Sequence, residues 1–205
     1  FNYFFEDRLS KALKYSPNLS SVLDIGCGYG FWMNFCKEHD FDVFGIDISK
    51  EATDWAREQY NLSVMTSTIE DFSSDRLFDL VVMCDVLEHL IEPHEQLKKV
   101  GDLLTNDGIL YIQVPNLLGF KLPYGHGYGL PHHIWQFSVK TLKNLLKISG
   151  FRILNYYTGV MGVIGIYERR KPNLSDKLLW QLSKTLKIGN RLQVIAKKIL
   201  AEMKK

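Results

Sequence analysis

The sequence predicts an α/β domain, a mostly parallel sheet with helices on both faces, and three observations carry that prediction. The run Val22-Leu23-Asp24-Ile25-Gly26-Cys27-Gly28-Tyr29-Gly30 is apolar, then acidic, then glycine at alternate positions. It reads as a buried strand entering a tight turn and a helix N-terminus, with glycines that bend the backbone and leave it bare. Strand and helix signals then alternate along the chain, as βα units do. Finally, two β-type runs at residues 151–157 and 160–167 are separated only by Thr158-Gly159. So short a link predicts an antiparallel hairpin rather than another crossover.

After the glycine turn, residues 32–39 read as a short helix and residues 41–47 as a strand with Val43, Phe44 and Ile46 apolar. Ser49 is an N-cap residue for a helix over 50–60. A short strand is expected at 62–65. Residues 77–84 form a nearly continuous apolar run, the pattern of a central strand covered on both faces. Pro93 suits the first position of a helix running to 104. Asn106-Asp107-Gly108 reads as a turn before a buried strand at 109–114, which Pro115 ends. Ser138 caps an amphipathic helix over 139–149, and Gly150 stops it.

The 205 residues suffice for one ordinary domain with an appendage. The apolar fraction of 46%, the charged fraction of 23% and the net charge of +2 are those of a soluble globular protein. No run approaches the ~20 apolar residues needed to span a bilayer, and no signal peptide is evident. The chain opens on Phe1, which leaves room for residues ahead of it. Cys27, Cys36 and Cys84 are odd in number and form no Cys-x-x-Cys. They argue against a disulfide framework or structural zinc and predict a cytoplasmic setting. No metal site is expected, because His132 and His133 are adjacent and would point apart in regular structure.

In open α/β sheets a ligand binds beyond the carboxyl ends of the strands, where strand order reverses. Three segments converge there: the glycine turn, the strand end at Asp47 and the strand end at Cys84-Asp85. Asp47 lies some 20 residues past the glycines, where a carboxylate accepts from ribose hydroxyls; a turn or capping aspartate is the alternative. A dinucleotide fingerprint would need its third glycine at position 31, which is Phe31.

The acid-x-Gly-x-Gly-x-Gly spacing resembles motif I of the class I S-adenosylmethionine (SAM)-dependent methyltransferases. The segment Phe78-Asp79-Leu80-Val81-Val82-Met83-Cys84-Asp85-Val86-Leu87-Glu88-His89-Leu90 resembles the strand-4 motif of their small-molecule, quinone-type O-methyltransferase branch. Gln113-Val114-Pro115-Asn116 and His133-Ile134-Trp135-Gln136-Phe137-Ser138 resemble later segments of the same branch. The resemblance spans residues 22–167 and implies a Rossmann-like seven-stranded sheet, order 3-2-1-4-5-7-6 with strand 7 antiparallel. It implies SAM as cofactor, with S-adenosylhomocysteine as product. Asp24, Gly26, Cys27, Gly28 and Gly30 would hold the methionine part, Asp47 the ribose, and Ile48, Ile69 and Glu70 the adenine. Cys84 and Asp85 would face the ammonium and methyl. Many members carry Asp where this chain has Thr68, so the adenine-edge contact falls to Glu70 or Asp71.

The acceptor is expected to be a small molecule, methylated at oxygen: a sugar, lipid or quinone-like metabolite. A hydroxyl acceptor must lose a proton, and a histidine suits that near neutral pH. His133 or His132 is the expected base, with His89 and Tyr124 as further candidates. The loop at 117–136 is long and rich in glycine and aromatics, which predicts a lid over the methyl donor. Residues 1–170 are read as the methyltransferase domain. Residues 171–205 are read as an appendage of two basic amphipathic helices, with leucines at 174, 178, 182 and 186 and a second apolar set at Leu192, Ile195 and Ile199. Through residues 173–205 they offer a contact to an anionic membrane surface or to a second subunit. No nucleic-acid-reading motif is present, so no nucleic-acid partner is expected. An alternative reading is a non-catalytic SAM-binding scaffold recruited through that basic tail.

Overall fold

The structure is a computed structural model and describes residues 2–119, 129, 131–159 and 174–199. Its element order is α1 (Asn2–Leu13), β1 (Ser21–Ile25), α2 (Phe31–Lys37), β2 (Asp42–Asp47), α3 (Lys50–Tyr60), β3 (Val64–Thr66), β4 (Phe78–Cys84), a 3-10 turn (Leu87–His89), α4 (Pro93–Asp102), β5 (Leu104–Pro115), α5 (Val139–Ile148), β6 (Phe151–Gly159), α6 (Leu174–Leu186) and β7 (Arg191–Lys198). The strands form one sheet in the order β3-β2-β1-β4-β5-β7-β6. All neighbours are parallel except β5 with β7 and β6 with β7. The expected strand order is therefore present.

The core lies on both faces of the sheet because side chains alternate along each strand. Leu23, Val81, Met83, Leu110, Ile112, Leu192 and Val194 point to one face, where Leu97 and Val100 of α4 and Leu142 and Leu146 of α5 cover them. Val22, Leu80, Val82, Ile109, Tyr111 and Ile195 point to the other, beneath Leu9 and Ala12 of α1, Trp32 and Phe35 of α2 and Ala56 of α3. That double cover explains why β4 and the 109–114 part of β5 read as nearly continuous apolar runs. Local signals also behave as their chemistry requires. Ser49 Oγ accepts from Ala52 N–H at 3.2 Å, and Ser138 Oγ accepts from Thr141 N–H at 3.2 Å within a capping box.

Four expectations are corrected. The antiparallel strand is supplied by Arg191–Lys198, not by residues 160–167, which lie outside the described residues. The second basic helix expected around Leu192 and Ile195 is accordingly this strand, β7. Leu192 and Val194 to Ala196 are buried because the strand sits between β5 and β6. The boundary at 170 does not separate an appendage, since β7 belongs to the central sheet. Asn106-Asp107-Gly108 is not a turn between elements but a bulge inside β5. There Phe78 pairs with Leu104 while Leu80 already pairs with Ile109. The sequence reading had also missed α1 altogether. Among the described residues, no helix is long and apolar enough to cross a membrane.

Candidate functional site

A crevice of about 500 Å³ opens at the carboxyl ends of β1, β2 and β4, bordered by Gly26, Asp47, Ile48, Ile69, Glu70, Asp85 and His89. A second hollow of about 280 Å³ adjoins it, lined by Asp24, Gly26, Cys27, Cys84, Asp85 and, from α1, Arg8. Gly26 and Asp85 belong to both, so the two form one elongated depression. The combined size suits a small-molecule ligand.

The glycine turn meets the depression at Gly26 and Cys27. Gly26 has φ 74°, and a Cβ there would lie 2.3 Å from Val86 Cγ2, so the turn and the chain after β4 approach only because this residue has no side chain. Gly28 has φ 52°, and a Cβ there would meet nothing within 4 Å. Its bare backbone faces open space. Gly28 and Gly30 line neither hollow; Gly30 stands at the N-cap of α2, against Leu62 and Ala56.

Asp47 ends β2. Its Oδ2 accepts from Gly28 N–H at 2.8 Å and its Oδ1 from Ser49 N–H at 2.8 Å. The turn role of this residue is present: it closes its own turn and clamps the glycine loop, and it borders the crevice as well. Ile48 is 78% exposed on one wall, and buried Ile69 stands on the other. Thr68 is engaged with Asp71, its hydroxyl donating at 2.8 Å, while Glu70 accepts from Gln96 Nε2.

Asp24 is buried on β1, and burial pushes its carboxyl up to about 7 against the opposing pull of the Arg8 guanidinium. Burial likewise pushes the Cys84 thiol up to about 12 and the Cys27 thiol well above its ordinary value, so neither is a thiolate at neutral pH. The Arg8 guanidinium stands 4.9 Å from the Trp32 ring centroid. A polar chain links α1 to the site. Lys11 pairs with Asp7 and donates to Gln193 Oε1 at 2.7 Å; Gln193 Nε2 donates to Gln113 Oε1 and Gln113 Nε2 to Asp85 Oδ2, each at 3.0 Å. Arg191 Nε lies 3.6 Å from Asp85 Oδ1. Arg8, Gln193 and Arg191 escaped the sequence reading because no local motif marks them; the sheet order brings Gln193 and Arg191 toward Asp85, and the packing of α1 brings Arg8 to the second hollow.

The 3-10 turn after β4 gathers the histidines. His89 Nδ1 donates to the His132 carbonyl at 2.8 Å, and the His89 and His133 rings meet edge-on with centroids 4.8 Å apart. Trp135 N–H donates to Glu88 O at 3.0 Å and Trp135 Nε1 to Leu90 O at 2.7 Å, which pins the segment before α5 onto this turn. His132 contributes its backbone here while its side chain is exposed; His133 is the half-buried member of the pair. Burial, then His89, holds His133 below the usual histidine range. Glu88 is 1% exposed, and burial pushes its carboxyl up to about 7. Ligand atoms of Glu88, His89 and His133 lie within 4.8 Å of one another. Adjacency of His132 and His133 thus did not decide the question of a metal, since the grouping draws on two separate segments. Tyr124 and the centre of the expected lid lie outside the described residues.

A seven-stranded sheet with one reversed strand, a glycine turn after β1 and an acid closing β2 make up the fold of the class I SAM-dependent methyltransferases. Residues 2–156 match the family model described as a methyltransferase domain, and the chain belongs to that family. It is 33% identical over 106 residues to the ubiquinone biosynthesis O-methyltransferase of Glaesserella parasuis, covering 46% of this chain and 45% of that one. Over 90 residues it is 33% identical to nodulation protein S of Rhizobium tropici, covering 42% and 38%. The match thus spans just under half the length of these curated relatives. A SAM-dependent methyltransferase from Archaeoglobus fulgidus shares the fold with a TM-score of 0.67 at 21% identity, covering 97% of this chain and 95% of that one. The plantazolicin methyltransferase BpumL, solved with S-adenosylhomocysteine, shares it with a TM-score of 0.68 at 21% identity, covering 96% and 82%. SAM is the methyl donor of this class, and the residues lining the depression fit it: backbone without a side chain at Gly26, a carboxylate at Asp47 and apolar side chains at Ile48 and Ile69.

Proposed function

We propose that this enzyme methylates an oxygen of a small-molecule acceptor, a sugar, lipid or quinone-like metabolite, with His133 as the base. In this reading Asp47 accepts from the ribose hydroxyls, Ile48 and Ile69 flank the adenine, and Gly26 to Gly28 lie along the methionine chain. Arg8, facing the second hollow, pairs with the methionine carboxylate. SAM when bound supplies an electrophilic methyl, so the protein's own work is alignment, exclusion of water and removal of the acceptor proton.

One observation carries the choice of base. His133 sits against His89, which borders the crevice, and its depressed pKa keeps the ring neutral and proton-accepting at pH 7. His132 turns its side chain to solvent and acts through its carbonyl. His89 is the partner that orients the pair. The three unpaired thiols support a cytoplasmic setting.

Single-turnover methyl transfer at saturating SAM, with a panel of hydroxylated acceptors, tests the assignment. His133→Ala should slow transfer by about 10²-fold or more, as expected for loss of a general base, while binding S-adenosylhomocysteine normally. The wild-type rate should fall as pH drops through the lowered histidine pKa, below about 6.5, because the base is then protonated. A His133→Ala rate equal to wild type on an accepted hydroxyl substrate would remove the residue from this role. An acceptor that reacts at a carboxylate would do the same, since no proton need leave.

A further inference from the structure

Helix α6 shows a row of leucines to solvent. Leu174, Leu178, Leu182 and Leu186 recur every four residues along one stripe, and they are 74, 58, 56 and 57% exposed. Ser183, on another face, is 1% exposed, and its carbonyl accepts from Thr158 Oγ1 of β6 at 3.0 Å. A leucine row turned to water is not the polar outer face of an ordinary surface helix. Contiguous apolar exposure of this kind marks an interaction surface.

We infer that the leucine stripe of α6 docks this enzyme on an anionic lipid surface. Charge favours that occupant. Between positions 169 and 187 the sequence carries Arg169, Arg170, Lys171, Lys177, Lys184 and Lys187 against Asp176 alone. Such a surplus is drawn to an anionic leaflet. A two-fold pair of the same helices is the competing occupant of the stripe. It would bury only the stripe, roughly a few hundred Å² per copy, so that both copies together stay below the ~1,200 Å² total of stable complexes.

The position of α6 gives the docking a use. From Leu186 the chain passes Ile188, itself 43% exposed, to Gly189, whose carbonyl accepts from Asn116 Nδ2 at 2.8 Å. Asn190 O accepts from Asn116 N–H at 2.9 Å, and Arg191 follows, 3.6 Å from Asp85. The end of the stripe is thus tied to the carboxyl end of β5, beside the site. A lipid-docked α6 holds the acceptor side of the crevice near the membrane surface, where an amphiphilic acceptor is concentrated.

Flotation of the full chain with vesicles tests this without any methyl-transfer assay, so its outcome is independent of the proposed reaction. The probes are pure phosphatidylcholine vesicles and vesicles with about 30% phosphatidylglycerol. Binding should be at least about fivefold greater to the anionic vesicles and should fall in about 0.5 M salt, where charges are screened beyond a few Å. The double substitution Leu178→Gln and Leu182→Gln should reduce binding about tenfold. Its melting temperature and S-adenosylhomocysteine affinity should match wild type, because both leucines are exposed; a separate Leu174→Gln variant provides the same readout should the double variant misfold. Equal floating with neutral and anionic vesicles, or none, overturns the inference. So does a dimer in sedimentation velocity that either variant dissociates, which would assign the stripe to a second copy.

Discussion

Replacing Asp47 by Ala is the most direct test of how the crevice holds its ligand. Each carboxylate oxygen already accepts one backbone N–H at 2.8 Å, from Gly28 and from Ser49. An ionised carboxylate has about four acceptor positions, so about two remain for the ribose hydroxyls. Hydrogen bonds to a charged group contribute about 1.5–3 kcal/mol each. Losing two therefore costs about 3–6 kcal/mol of binding, and at 1.4 kcal/mol per decade affinity falls by about 10²- to 10⁴-fold. Asp47→Asn should lie between, because one oxygen still accepts while the new amide hydrogens oppose a backbone N–H. Calorimetric titration with S-adenosylhomocysteine reads both variants. Thermal melting must accompany it, since the substitution also frees the Gly28 and Ser49 N–H groups. If Asp47→Ala folds and binds within about threefold of wild type, the ribose assignment is wrong and Asp47 serves its turn alone.

Two further outcomes follow from the same geometry. Asp24 and Glu88 are both pushed up to about 7 by burial, so the folded state keeps protons that the unfolded chain releases. Stability should therefore fall as pH rises from about 4 to 7 and level off above. Asp24→Asn should flatten part of that decline in urea titrations; a decline unchanged in Asp24→Asn would place its cause elsewhere. Gly26→Ala combines an unfavourable φ of 74° with a Cβ 2.3 Å from Val86 Cγ2. It should destabilise by about 2–5 kcal/mol in the same titrations, and Val86→Ala should restore part of the loss. A neutral Gly26→Ala would mean that the turn can relax away from Val86.

The sequence by itself determined the elements whose signal is local. β1, β4 and β5 are apolar on both faces because helices cover both sides, so their residues name them without a partner. Ser49 and Ser138 mark helix starts through hydrogen bonds made within three residues. The glycines around Gly28 and the acid at Asp47 are legible because turn geometry restricts which residues fit. Only the tertiary structure decided the rest. β7 has basic ends, Arg191, Lys197 and Lys198, around a short apolar centre, which suits a helix as readily as a strand. What makes it a strand is the pair of free edges that β5 and β6 offer, some 80 and 40 residues back along the chain. The same insertion carries Gln193 and Arg191 to Asp85. Packing of α1 brings Arg8 to the second hollow, and docking of the segment before α5 brings His133 to His89 and Glu88. Contacts between residues so far apart leave no spacing to read, because closing the intervening chain, not local geometry, selects them.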